Sequence, residues 1–153
     1  MKLKSITLYE DNNVENYLEG NVLCYEDGSI EGIMVGGEDM YIHGRKNQDD
    51  IRLILLTPFN YPYTYENYSG TLNRKQNNYD MVAFDNEGSF DGMCSMRLLS
   101  KKLSKEIEEA EIEELKFRIE LYKEMYDAEK SPFSLSSQKE EVVKRAEEKV
   151  KNR

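Results

Sequence analysis

Up to residue 99 the apolar positions come in short runs, many of them alternating with polar residues, and each run ends at Gly, Asn, Asp or Pro. Alternation with a period of two is typical of β-strands, and the closing residues are those that turns require. Because the linkers are only a few residues long, we expect consecutive strands to pair as antiparallel hairpins. The predicted strands are 4–9, 16–25, 29–35, 40–45, 51–57, 65–73, 79–85 and 89–97.

One short segment, EDGSIEG at 26–32, recurs with changes as NEGSFDG at 86–92. In each copy a glycine, Gly28 or Gly88, stands between two strand-like runs. Glycine adopts the positive φ that tight or bulged hairpin turns need. The repeat therefore indicates two turns rather than a duplicated binding site.

A large apolar residue also stands two places before a glycine in five of the predicted strands. The pairs are Leu18 with Gly20, Ile30 with Gly32, Ile42 with Gly44, Tyr68 with Gly70, and Phe90 with Gly92. Residues two apart on a strand point to the same side, so each glycine leaves space beside a large side chain. Such glycines are typical of bends in coiled sheets more often than of ligand contacts. We therefore predict a curled antiparallel β meander or barrel-like domain of seven or eight strands over residues 1–99.

From about Ser104 the apolar spacing changes to steps of three and four, which is typical of amphipathic helices. Ser104 is placed to cap a long helix over about 104–130, and Pro132 to end it. A capping-box spacing then opens a short helix over about 138–151, which carries little apolar material. The whole chain is thus expected to be an α+β protein, with residues 100–153 as a C-terminal helical extension.

The long helix carries two apolar rows. The second row consists of Ile112, Leu115, Ile119, Tyr122 and Tyr126. A single sheet face can bury one row, so the second row predicts the interface of a homo-oligomer, and a dimer is the commonest closed assembly. The alternative is that both rows are buried within one chain, against the β domain and the short helix.

The net charge of −9 is concentrated in the predicted β domain. Residues 1–99 hold 16 acidic and 8 basic side chains, whereas residues 100–153 hold 14 and 13. This acidity disfavours long nucleic acids and anionic membranes, because phosphate binding requires clustered Lys and Arg. It suits a basic protein partner, or it serves only to keep the domain soluble. No signal peptide and no apolar stretch of membrane-spanning length are present, so a cytoplasmic location is expected.

Candidate catalytic chemistry is scarce. His43 is the only histidine, and the motifs of common nucleophiles, phosphate loops and zinc sites are missing from the sequence. Cys24 and Cys94 are flanked by apolar residues, which predicts buried free thiols, and their positions next to the repeated segment suggest that they are neighbours in space. We therefore predict no catalytic residues, metal or cofactor, and an enzyme is the less favoured class.

The segment PFNYPYTYENYSG at 58–70 has four closely spaced tyrosines, Tyr61, Tyr63, Tyr65 and Tyr68. Tyrosine offers a rigid apolar surface with a polar tip, which suits recognition of proteins or stacking on planar rings. The alternative is that these rings plug an open end of the sheet. The candidate anion contacts for a small ligand are Arg52, Arg74, Lys75 and Arg97.

Together these features predict a non-enzymatic intracellular binding protein that acts through protein contacts. An acidic inhibitor or adaptor of viral or mobile-element origin fits this description. The alternative is a small-molecule binder in which a nucleotide-like or other planar ligand occupies the concavity of the sheet near Gly32 and Gly92.

Overall fold

The computed structural model describes residues 1–10, 17–35, 39–56, 65–129 and 139–152. Within these ranges the chain forms eight antiparallel strands followed by two helices. The strands are β1 (Lys2–Glu10), β2 (Tyr17–Cys24), β3 (Ser29–Val35), β4 (Met40–Asn47), β5 (Asp50–Leu56), β6 (Tyr65–Asn73), β7 (Asn78–Phe84) and β8 (Phe90–Ser100). The helices are α1 (Lys105–Glu129) and α2 (Lys139–Lys151).

The eight strands form a closed barrel in which each strand pairs with the next and β8 returns to β1. Leu8 of β1, for example, lies opposite Leu18 of β2 on one side and Met96 of β8 on the other. This closure leaves no unpaired strand edge in the barrel. The predicted fold class, a barrel-like antiparallel sheet followed by C-terminal helices, is confirmed.

Alternate residues of each strand point into the barrel and fill it with apolar side chains. The buried interior cluster comprises Ile6, Leu8, Val22, Ile30, Met34, Ile42, Ile51, Leu53, Leu55, Tyr68, Tyr79, Met81, Ala83, Cys94 and Met96. Glycines in β2, β3, β4 and β6 lie where neighbouring backbones come closest. A methyl group on Gly20 would collide with the carbonyl oxygen of Ile33, and one on Gly44 would collide with that of Arg52. These glycines therefore allow the strands to coil tightly enough to close.

Both copies of the repeated segment form hairpin turns, as predicted. Gly28 and Gly88 have φ angles of 93° and 83°. The amide of Gly28 donates to the carbonyl of Tyr25 over 3.0 Å, and that of Gly88 donates to the carbonyl of Asp85 over 3.1 Å. A carboxylate in each turn, Asp27 or Asp85, accepts the backbone amide of the following serine.

Helix α1 lies across the outer face of β2, β3 and β4. Its residues Leu115, Ile119 and Tyr122 form a second buried cluster with Leu3, Leu23 and Ile33 of the barrel, with Ile112 partly buried beside them. Ser104 caps the helix, since its Oγ accepts the amide of Ile107 over 3.4 Å and its carbonyl accepts that of Glu108 over 2.9 Å. The row predicted as a dimer interface is thus buried within one chain at Leu115, Ile119 and Tyr122, and the side chain of Tyr126 lies outside the described residues. The homodimer was predicted because this row was expected to be exposed. Leu115, Ile119 and Tyr122 are already covered by the barrel, so they do not support a dimer interface.

Helix α2 packs on α1 through Val142 and Ala146, which are 2% and 0% exposed. Glu124 of α1 is also buried there, and its carboxylate accepts a hydrogen bond from Nε of Arg145 over 2.7 Å and another from Nζ of Lys149. Burial raises the pKa of Glu124, but the hydrogen bonds from Lys149 and Arg145 outweigh it and hold the pKa below its ordinary value. A short helix with little apolar surface is therefore docked in part by charge.

The two cysteines are free thiols, but they are not neighbours in space. Cys24 lies opposite Lys2 at one end of β1, whereas Cys94 lies opposite Glu10 at the other end. Eight residues of extended strand separate these positions by roughly 25 Å. The prediction of their proximity is wrong, because β2 and β8 flank opposite sides of β1 and the two cysteines lie at opposite ends of that strand.

Candidate functional site

The tyrosine segment is only partly described. Tyr61 and Tyr63 lie outside the described residues, and Tyr65 begins β6 with its side chain likewise outside them. Tyr68 is 4% exposed and belongs to the barrel interior, where its hydroxyl donates to the carboxylate of Glu66. The prediction that Tyr68 contributes to a binding surface is corrected, because its position in β6 points inward.

The four predicted anion contacts are distributed around the barrel rather than gathered. Arg74 pairs with Asp49 at 2.9 Å, beside the exposed Lys75 in the turn between β6 and β7. Arg52 lies on the outer face of β5, where it lines a groove. Arg97 lies on the outer face of β8, with its guanidinium 5.7 Å from the ring centroid of Tyr9. No shared anion site follows from these positions.

The interior of the barrel offers no space at Gly32, where a planar ligand was predicted. A methyl group on Gly32 would meet Cγ1 of Val22 at 2.6 Å, whereas one on Gly92 would meet nothing within 4 Å. The lumen between them is filled by the buried interior cluster. Within the described residues, the middle of the barrel is therefore occupied by side chains and not by a ligand cavity.

A bulge in β8 creates the most unusual surface feature of the barrel. Ala83 pairs with Gly92, and the next residue of β7, Phe84, pairs with Phe90, so Asp91 is left as the extra residue. Gly92 has a φ of 136°, a conformation that side chains rarely adopt. The bulge reverses the alternation of β8 and turns Phe90 outward. The prediction that Phe90 and Gly92 face the same side of a regular strand is therefore wrong.

The outward Phe90 joins three other apolar side chains, Val82, Phe84 and Met93, and we call these four the apolar patch. Val82 lies opposite Met93 and Phe84 opposite Phe90 in the β7–β8 ladder. The rings of Phe84 and Phe90 meet edge to face with centroids 6.2 Å apart. Phe90 and Met93 are each 63% exposed. Large apolar side chains grouped in this way are typical of interaction sites, whereas isolated ones are not.

Acidic residues flank the apolar patch along the β7–β8 ribbon, in which the one basic residue, Arg97, lies on β8 beyond Ser95. Residues 76–96, which span β7 and most of β8, contain Asp80, Asp85, Glu87 and Asp91 but no Lys or Arg. Asp85 holds the turn by accepting the amides of Glu87 and Ser89, each over 2.9 Å. Among the described residues, no Lys or Arg forms an ion pair with Asp80, Glu87 or Asp91. The patch therefore has a negative rim that is not neutralised within the described residues.

The described residues hold no arrangement that points to catalysis. Burial and the charge of Lys123 lower the pKa of His43, which stacks on Tyr41 with ring centroids 5.7 Å apart. No group of three or more His, Cys, Asp or Glu side chains within the described ranges is placed to hold a metal ion. In the same part of the chain, neither helix is long and apolar enough to cross a membrane.

Comparison of the chain with protein-family models, with curated proteins and with solved structures gave no match. The sequence analysis missed Phe90 and Met93 as candidate contact residues. The available signal was the run of 21 residues from 76 to 96 without a basic side chain. The bulge that exposes Phe90 could not be read from that run.

Proposed function

We propose that this protein is a non-enzymatic, intracellular binding protein that captures a basic protein through the apolar patch. The observation that carries the proposal is the grouping of Phe90 and Met93, each 63% exposed, within an acidic rim. An inhibitor or an adaptor would use such a surface in the same way, since both act by occupying a partner.

The two parts of the surface have different energetic roles. Burial of an aromatic or aliphatic side chain contributes about 1.5–3 kcal/mol, so Phe90 and Met93 can anchor a partner. The acidic rim contributes mainly to the association rate and to the choice of partner, because exposed charges are screened and individually weak. A partner with an apolar anchor and flanking Lys or Arg is complementary to both.

The apolar contribution can be tested by quantitative affinity capture with the full chain as bait. The test variant is Phe90→Ser with Met93→Ser, and the matched control is Ile107→Ser, which changes an apolar residue of α1 that is 53% exposed. We expect a basic protein that is retained by the wild type and by the control but is reduced at least about tenfold by the double variant. Equal recovery with all three baits would contradict the proposal.

The acidic rim is tested with Glu87→Gln plus Asp91→Asn, and with Glu147→Gln plus Glu148→Gln on α2 as the control. Both pairs remove two exposed carboxylates. For a captured partner, we expect the rim variant to lower the association rate and to weaken its salt dependence, while the control changes neither. Sedimentation of the full chain alone tests whether the chain associates with itself through the apolar patch. If the wild type self-associates and the Phe90 and Met93 variant does not, the patch binds a second copy of this chain and not a basic protein.

A further inference from the structure

The barrel has a second candidate site at the end where β1 begins, away from the apolar patch. A cavity of about 590 Å³ opens there, a size typical of small-ligand pockets. Its lining includes Lys2, Lys4, Lys46, Cys24, Ile30 and Leu98. Ile30 belongs to the interior cluster and Leu98 packs against it, so the floor of the cavity is the apolar end of the barrel core.

The lysines point into the barrel mouth rather than away from it. Lys4 shares the inward face of β1 with Ile6 and Leu8, and Lys46 shares the inward face of β4 with Ile42. Nζ of Lys46 lies 6.0 Å from the ring centroid of the buried Tyr79. Both lysine side chains are half-buried. Inward positions of small barrels are filled by side chains, and at these two positions the side chain carries a positive charge.

The positive charge of this mouth contrasts with the rest of the molecule. In a chain of net charge −9, the cavity is lined by three lysines and one carboxylate, that of Glu26. No described carboxylate forms an ion pair with Lys4 or Lys46. Lys4, Lys46 and Cys24 line the same cavity, where burial raises the pKa of the Cys24 thiol while the charges of the two lysines act in the opposite direction.

We propose that this barrel mouth binds a small organic anion that has an apolar body. The anionic group would be held between Lys4 and Lys46, and the apolar body would lie on Ile30 and Leu98. Two half-buried ammonium groups can hold a carboxylate by charge-assisted hydrogen bonds, and the apolar floor adds affinity in proportion to the surface it covers. This site does not overlap the apolar patch, so the ligand proposal can be tested independently of the proposed protein partner.

The ligand class is tested by calorimetry of the full chain with octanoate, octan-1-ol and inorganic phosphate as probes. Octanoate supplies both the charge and the apolar body, whereas each of the other two supplies one of them. We expect octanoate to bind at least about tenfold more tightly than either. Equal binding of octanoate and octan-1-ol would overturn the role of the lysines. Equal binding of octanoate and phosphate would overturn the apolar body.

The site is located with Lys4→Met plus Lys46→Met, which keeps the length of both side chains but removes the charges. Lys75→Met is the control, since Lys75 is exposed in a turn at the same end of the barrel and does not line the cavity. We expect the double variant to lose at least about tenfold in octanoate affinity and the control to keep it. Unchanged affinity in a folded double variant would overturn the proposal.

A second measurement does not depend on those variants. In the Cys94→Ala background, Cys24 is the single thiol, and its alkylation by iodoacetamide can be followed with and without saturating octanoate. We expect octanoate to slow the reaction because the probe covers the thiol at the cavity wall. If bound octanoate leaves the alkylation rate unchanged, octanoate binds elsewhere and the assignment fails.

Discussion

The outer faces of β2–β4 and of β7–β8 both carry apolar side chains, but only the first is covered by the chain itself. Leu23 and Ile33 are buried beneath α1, whereas Phe90 and Met93 remain 63% exposed. Two acidic residues on or beside the covered face form ion pairs with cations of α1. Lys123 pairs with Glu31 at 3.1 Å, and Arg118 pairs with Asp39 at 3.6 Å.

The outer face of β7–β8 lacks a covering helix within the described residues. On β2–β4 an amphipathic helix with Lys and Arg beside its apolar row covers an outer face that presents both apolar and acidic groups. On β7–β8 the apolar and acidic groups are present, and no described helix covers them. Helix α1 is acidic overall, with ten Asp or Glu and four Lys or Arg, so the feature that the proposed partner of the apolar patch would share with α1 is only the placement of Lys or Arg beside an apolar row.

The largest expected difference between the two faces is in stability. Ile119 of α1 is 0% exposed, so Ile119→Ala should lower the free energy of unfolding by about 2–5 kcal/mol through lost burial and a cavity. Urea denaturation followed by fluorescence and circular dichroism measures this loss. A cost below about 1 kcal/mol would mean that α1 is not an integral cover of β2–β4.

A smaller effect is expected from the charged contact that docks α2 on α1. Glu124 is 4% exposed and hydrogen-bonded to two cations, so Glu124→Gln should cost about 1–3 kcal/mol near neutral pH. Because the pKa of Glu124 is lowered by folding, its contribution is present above its ordinary value of 4.5 and is lost as the pH falls through the folded value. The difference between wild type and variant should therefore shrink on acidification.

The measurement is a series of urea denaturations at decreasing pH, with Glu148→Gln on the exposed side of α2 as the control. The control removes a carboxylate from the same helix pair without touching Arg145 or Lys149, and we expect it to change stability by less than about 0.5 kcal/mol. If the cost of Glu124→Gln is independent of pH, the ionised carboxylate is not what holds α2.

The elements of this fold follow from local patterns, whereas the candidate site does not. Alternation, turn glycines and three-and-four spacing predicted the strands and helices because each depends on neighbouring residues. Closure required β1 to pair with β8 across some 90 residues, which no local pattern encodes. The exposure of Phe90 depends on one extra residue in β8, Asp91, which reverses the facing of Phe90 without altering the hydrophobic pattern. The burial of Tyr68 likewise depends on which side of β6 faces inward.

The smallest expected effect is on the uncovered outer face of β7–β8, where truncation of a side chain to alanine should barely change the free energy of unfolding. Phe90→Ala and Met93→Ala remove side chains that are already 63% exposed, so each should change the free energy of unfolding by less than about 0.5 kcal/mol. Urea denaturation of the two single variants beside Ile119→Ala gives the comparison directly. A cost above about 2 kcal/mol for either would mean that the apolar patch is part of the folded core and not a surface kept for a partner. If the variants change the free energy of unfolding only slightly but no longer capture a basic protein, Phe90 and Met93 serve binding and not folding. Residues kept for contact with a partner contribute little to the stability of the free chain.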